Sequence, residues 1–196
     1  MQIIVPGVGR YRPGEIPDHS APLVFSLPDV LGAEECVAMI ARIEALGPAP
    51  APITTAAGFV MRPDIRNNER VMFDDVALAA ELFARLGGAL PPRVQGWRPV
   101  GVNERFRCYR YTPGQRFAPH YDGSFRRHLS ERSLLTLMVY LNDGFGGGST
   151  AFHDHDVEVW PRAGAALVFQ HQLLHEGCAV TSGTKYVLRS DVMYAD

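Results

Sequence analysis

Residues 105–122 read RFRCYRYTPGQRFAPHYD, and the character of the chain changes there. Arg105 to Tyr111 is a run of bulky residues in which Tyr109 and Tyr111 share one face if the segment is extended. Thr112, Pro113 and Gly114 then break the run as a turn does. Beyond it, short β-rich runs recur between Gly, Pro, Asn and Asp: Leu134 to Leu141, Ser149 to Phe152, Val157 to Trp160, Ala165 to Phe169, and Lys185 to Tyr194. Many short strands at such close spacing predict an antiparallel barrel or a two-sheet jelly roll.

Upstream the period is helical. Cys36, Met39, Ile40, Ile43 and Leu46 recur at three- and four-residue steps, and Gly47 with Pro48 stops them. A second helix is predicted over Val76 to Leu86, with Leu78, Leu82, Phe83 and Leu86 on one side. Asp74 or Asp75 would cap its start and Gly87 its end. The expected fold class is therefore mainly β with flanking helices on the outer face of one sheet. With no linker visible, residues 1–196 read as a single domain, with helical N-terminal support over about 1–104 and a β core over about 105–196.

Composition narrows the classes. A chain of 196 residues, 46% of them hydrophobic, can bury a sizeable core without disulfides or oligomerisation. A net charge of -2 gives no global basic field to gather nucleic acid. Cys36, Cys108 and Cys178 form no C-x-x-C pair and read as reduced residues of a cytoplasmic protein. Met1 to Arg10 lacks a signal-peptide pattern, and no apolar run approaches the roughly 18 residues that span a bilayer, so no membrane partner is expected.

Pro119-His120-Tyr121-Asp122 sets an imidazole and a carboxylate two residues apart. On an extended segment both point to one side, and one metal could take both. His175, in His175-Glu176-Gly177, is the candidate third ligand. Two His and one carboxylate on one face of an ion leave the opposite face open, which suits non-haem Fe(II); by ligand type a zinc hydrolase is compatible too. Alone the motif is weak. Seven His and eleven Asp in 196 residues give about 0.4 H-x-D pairs by chance.

Its neighbours strengthen it. Lys185, Val187 and Arg189 share a face of a predicted strand, and buried cations there would need an anion. A dianionic ligand would serve; pairing with Asp191 is the structural alternative. Tyr140 could donate a hydrogen bond to the same ligand, and Tyr109 and Tyr111 could line its pocket. His153-Asp154-His155-Asp156 looks metal-rich but follows Gly146-Gly147-Gly148, and it reads as an exposed hairpin tip. His171, four residues before His175, lies in a loop pattern and makes no helical H-x-x-x-H site. Arg62, Arg66 and Arg70 crowd Met61 to Arg70, which reads as a solvated loop or, alternatively, as a substrate-contacting one.

At this point the chain resembles a known family. From about Arg105 to Tyr194 it is similar to the catalytic domain of prolyl 4-hydroxylase-type 2-oxoglutarate- and Fe(II)-dependent oxygenases. The matching blocks occur in order: Tyr111-Thr112-Pro113-Gly114 into Pro119-His120-Tyr121-Asp122, then Leu137 to Asn142, Gly147 to Phe152, Pro161 to Phe169, His175-Glu176-Gly177 and Gly183-Thr184-Lys185-Tyr186. The resemblance implies a double-stranded β-helix, a variant of the jelly roll, with His120, Asp122 and His175 as iron ligands. It places Lys185 on the far carboxylate of 2-oxoglutarate and Tyr140 in support; Arg189 has no firm counterpart and could share that role. It implies Fe(II), 2-oxoglutarate and O2, with ascorbate as a supporting reductant. In such enzymes oxidative decarboxylation to succinate and carbon dioxide generates the oxidant that abstracts hydrogen from substrate. Related halogenases lack the carboxylate ligand, so Asp122 favours hydroxylation.

The expected substrate is a peptidyl proline or another protein side chain, or else a free amino acid or small metabolite. Arg62, Arg66, Arg126 and Arg127 at a cavity mouth would suit a peptide or an acidic substrate. An oxidative nucleic-acid demethylase would need a basic groove that the charge does not suggest. A catalytically silent cupin-like binding protein would not need the full set of residues.

Overall fold

The computed structural model describes residues 1–55 and 58–196, and among these the strands form two main antiparallel sheets. The large sheet runs in the order Gln2–Val5, Val24–Leu27, Ala166–Gln170, Glu131–Tyr140, Lys185–Ala195, Arg105–Tyr111, Glu69–Asp74 and Ala49–Pro50. Arg98–Val102 adds to Lys185–Ala195, and Arg126–His128 to Glu131–Tyr140. The small sheet has the order Val157–Val159, Thr150–Phe152, His175–Gly177, Phe117–His120. This is the mainly β, jelly-roll architecture that the strand spacing predicts.

Strand alternation sorts the large sheet into two cores. From Arg105–Tyr111, Phe106 and Cys108 face outward to the helices while Tyr109 and Tyr111 face inward to the small sheet. Leu135, Leu137 and Val139 point outward, and Tyr140 points inward with Leu167 and Phe169. On Lys185–Ala195, Leu188 and Val192 face the helices and Val187 faces inward. The inward face thus carries Lys185 and Arg189 among aromatic rings, as their two-residue spacing predicts.

Helix α1, Ala33–Ala45, buries Cys36, Met39 and Ile43; helix α2, Val76–Leu86, buries Ala79, Leu82 and Leu86. Full burial of a side chain such as Ile43 or Leu82 stabilises by about 1.5–3 kcal/mol. Of the two aspartates that could cap α2, Asp75 does so, its carboxylate accepting from the Leu78 N–H at 3.0 Å. Glu35, in the first turn of α1, accepts from Gly32 N–H and pairs with Arg85 in the last turn of α2, which ties the helices together. No helix of the described residues is long and apolar enough to cross a membrane.

The N-terminal part is less helical than its sequence pattern suggests. Gln2–Val5, Val24–Leu27, Glu69–Asp74 and Arg98–Val102 all join the large sheet. Val24–Leu27 has only four residues, with Val24, Phe25 and Leu27 all buried, so no period-two signal exists to find.

Candidate active site

The small sheet brings the predicted ligands together through its register. His120 ends Phe117–His120 and is the cross-strand partner of His175 at the start of His175–Gly177. Their rings therefore lie side by side, with centroids 4.2 Å apart. Asp122 sits just past the strand end, where its N–H donates to His171 O. His120 Nε2 is 3.9 Å from Asp122 Oδ1, and His175 Nε2 is 3.6 Å from Asp122 Oδ2. Ligand atoms of the three side chains all lie within 4.8 Å of one another. Donors about 2.1 Å from one ion sit roughly 3–4 Å apart, so the set is close to binding geometry.

The imidazoles are also oriented for it. His120 Nδ1 donates to Ala118 O at 2.8 Å and His175 Nδ1 to Leu173 O at 2.9 Å. Each bond fixes the tautomer that leaves Nε2 with a free lone pair facing its neighbours. Burial, and then the adjacent His175, push the His120 imidazole down to about 4, so at neutral pH no proton need leave before a metal binds. Burial alone would push the Asp122 carboxyl up. Arg189, His175 and His120 more than offset that and hold it well below the usual carboxylate range.

A second set of contacts steadies Asp122 from behind. Thr136 Oγ1 lies 2.6 Å from Asp122 Oδ2 and 2.9 Å from His171 Nδ1. An ionised carboxylate only accepts, so the Thr136 hydroxyl donates to it and takes its own bond from His171 Nδ1–H. His171 Nε2 then accepts from Ser133 Oγ at 2.8 Å. Nothing in the sequence marks this hydrogen-bonded chain. A single Thr in a strand and a His four residues from another carry no signal until the sheet pairs them.

Lys185 and Arg189, both predicted to be inward cations, have different surroundings. The Arg189 guanidinium pairs with Asp122 Oδ2 at 3.2 Å and Asp191 Oδ1 at 3.1 Å. Lys185, 2% exposed, has no acidic partner among the described residues. Its Nζ donates to Gly148 O at 2.6 Å and faces the rings of Tyr111 and Tyr140 at 5.2 and 5.5 Å. Gly148 holds a φ of +70°, and a Cβ there would come within 2.9 Å of Phe145 Cε2, 3.1 Å of Val180 Cγ2 and 3.2 Å of Lys185 Cδ, so a glycine suits this packed wall beside the lysine. Burial pushes the Lys185 ammonium down to about 8.

Tyr109, Tyr111, Thr150 and Lys185 line an inner pocket with the three ligands and Arg189. Tyr140 stands behind this wall, its hydroxyl 2.8 Å from Thr150 Oγ1, so the polar atom presented to the pocket here is that of Thr150. Outside lies a cleft of about 560 Å³ that shares His120, Asp122, Tyr109, Phe117 and Arg189 with it. Arg66 and Arg70 line the cleft; Arg62 instead pairs with Asp64, and Arg127 with Glu131 and Glu104. Arg126 is exposed on its strand. His153–His155 forms an exposed turn whose His153 bonds Glu176, away from the triad, in line with its reading as a surface feature.

Residues 106–190 match the model of the 2OG-Fe(II) oxygenase superfamily. A putative prolyl 4-hydroxylase of Acanthamoeba polyphaga mimivirus is 31% identical over 107 residues, which cover 45% of this chain and 44% of that protein. The chain thus spans less than half the length of that relative. The viral collagen prolyl hydroxylase of Paramecium Bursaria Chlorella virus-1, solved with 2OG, superposes with a TM-score of 0.60 at 22% identity, over 89% of this chain and 97% of that one. A prolyl hydroxylase from Trichoplax adhaerens, solved with a hypoxia inducible factor peptide fragment, gives 0.63 at 17% identity over 88% and 83%. In sequence and in fold the chain is prolyl 4-hydroxylase-like.

Proposed function

We propose that this prolyl 4-hydroxylase-like chain is a 2-oxoglutarate- and Fe(II)-dependent dioxygenase that hydroxylates a peptidyl proline or another protein side chain. In the overall reaction 2-oxoglutarate, O2 and a substrate C–H become succinate, carbon dioxide and a C–OH. The observation that carries the reading is the pairing of a convergent His-Asp-His set with a buried, acid-free Lys185 in one pocket. Two imidazole nitrogens and a carboxylate on one face suit Fe(II), which when bound with 2-oxoglutarate supplies the activation of O2.

The chain's own residues do the positioning. His120, Asp122 and His175 would hold the metal. Lys185, from the inner end, would meet the far carboxylate of 2-oxoglutarate, with Tyr111 and Tyr140 flanking its ammonium and Thr150 offering a hydroxyl. Arg189 keeps Asp122 ionised and is itself neutralised by Asp122 and Asp191, which favours Lys185 for the carboxylate. Tyr109, Phe117 and Met138 wall the pocket against water. The peptide-bound relative from Trichoplax supports a peptide over a free amino acid or small metabolite. The complete set of polar residues speaks against a silent cupin-like binder. A cytoplasmic location and a single domain belong to the same proposal, the first supported by the free cysteines and the second by a large sheet that takes strands from both halves.

The test is anaerobic addition of Fe(II) and 2-oxoglutarate, read by the visible metal-to-ligand charge-transfer absorption. The band is expected in the unaltered chain and not in His175→Ala; a metal-loaded chain without it would defeat the reading. Thr136→Val removes the hydroxyl that steadies Asp122 at similar volume. It is expected to weaken Fe(II) binding by about 10–100-fold in a metal titration, as loss of such outer partners does.

A further inference from the structure

The outer cleft is lined by four guanidiniums, those of Arg66, Arg70, Arg107 and Arg189. Facing them are the carboxylates of Asp122 and Asp191, which Arg189 and Arg107 already use. Arg70, half-buried, has no acidic partner among the described residues. Arg66 is 4% exposed, stacks over the rings of Tyr109 and Phe117 at 4.6 and 4.5 Å, and bonds Asn68 Oδ1 through Nε. Its Nη2 is buried with no hydrogen-bond partner among the described residues. Buried guanidinium N–H groups without acceptors are costly, and a cleft that gathers like charges is built for an anion. Lys185 does not line this cleft; His120, Asp122 and Arg189 line both it and the inner pocket.

We infer that the outer cleft recognises a carboxylate on the substrate, held by Arg66 and Arg70 beside the carbon to be oxidised. The inference rests on the oxygenase reading above and adds a second anion site to it, distinct from the one at Lys185. Planar guanidiniums suit carboxylate oxygens, and Arg66, fixed between two rings, loses little freedom in binding one. The carboxylate belongs to a chain terminus, an acidic side chain beside the target residue, or a free amino acid; all three present the same group.

The test uses the full chain with Fe(II), O2 and 2-oxoglutarate and measures succinate formed above the substrate-free rate. The probes are L-proline, a short peptide ending in proline, and a peptide with internal proline beside glutamate. Each is paired with a neutral counterpart: prolinamide, the C-terminal amide, and glutamine in place of glutamate. In at least one pair the acid is expected to exceed its counterpart by about tenfold in kcat/KM, and the responding pair names the source of the carboxylate. Arg70→Gln is expected to erase that preference mainly through KM, and Arg70→Lys to keep part of it. Equal response within every pair, no response included, overturns the inference, as does a preference undiminished in Arg70→Gln. The anaerobic charge-transfer band separates the two levels. With the band present these outcomes bear on the carboxylate alone, and its absence from the unaltered chain overturns both readings.

Discussion

Asp122→Ala is expected to abolish succinate formation while the chain still folds. Asp122 is the proposed anionic ligand, and without it the site keeps two imidazoles facing the guanidinium of Arg189, formerly 3.2 Å from the lost oxygen. A divalent cation would then meet repulsion where it had met attraction. The loss should exceed the roughly 10–100-fold that removing an outer-sphere partner costs. Folding survives because Arg189 keeps Asp191 at 3.1 Å, so no buried cation is left wholly unpaired. Succinate formation and thermal unfolding, measured side by side, check this. Turnover within tenfold of the unaltered chain would show that the metal sits elsewhere.

Lys185→Met should do two opposite things. Without the ammonium, the 2-oxoglutarate concentration needed for half-saturation is expected to rise by about 10²-fold or more, the worth of a desolvated charge-assisted pair. Free of ligands, however, the variant should be more stable at pH 7 by about 3 kcal/mol, because Lys185 is buried beside no acid among the described residues and its pKa falls from 10.5 to about 8. The sign follows from proton uptake. Between about pH 8 and 10.5 the unfolded chain binds a proton that the folded chain does not, so the native protein gains stability as pH rises through that window. Below pH 8 the full cost stands, and the advantage of Lys185→Met is greatest there. Denaturant titrations at pH 7 and pH 10.5 should show it shrink; an advantage equal at both would mean that the lysine is not desolvated. A 2-oxoglutarate requirement raised by Arg189→Ala and not by Lys185→Met would transfer the carboxylate to Arg189.

Much of this site is legible in sequence because strands obey a strict period. Lys185, Val187 and Arg189 declare a common face, and Tyr109 with Tyr111 another; knowing that these faces point inward needs only one buried side. His120 and Asp122 are paired by the same rule, although Asp122 lies two residues beyond the strand's end. What sequence leaves out is everything created by pairing between distant strands. That Arg189 is taken by Asp122, while Lys185 meets no acid among the described residues, follows from the register of Lys185–Ala195 against its neighbours and from the reach of each side chain. Arg66 and Arg70 read as solvated by composition, yet Arg66 is buried because Tyr109 and Phe117 arrive from two different sheets to sandwich it. The buried run Val24–Leu27 has no periodicity at all, so a strand of the large sheet is invisible until Ala166–Gln170 is there to receive it.

The His120–His175 cross-strand pair has a further meaning for assembly. Phe117–His120 is the outermost strand of the small sheet, with only a short bridge from Arg66 to Phe117 and an Ala118 N–H bond to Ile65 O on its outer side, and side chains swap faces with every single-residue slip. Misaligned by one position, the strand would turn its imidazole away from its partner, and the chain could not take up an ion. With His120, Asp122 and His175 holding an ion as proposed, capture would proofread alignment: a misthreaded molecule would stay unloaded, and a loaded one would have its edge strand riveted in the correct frame.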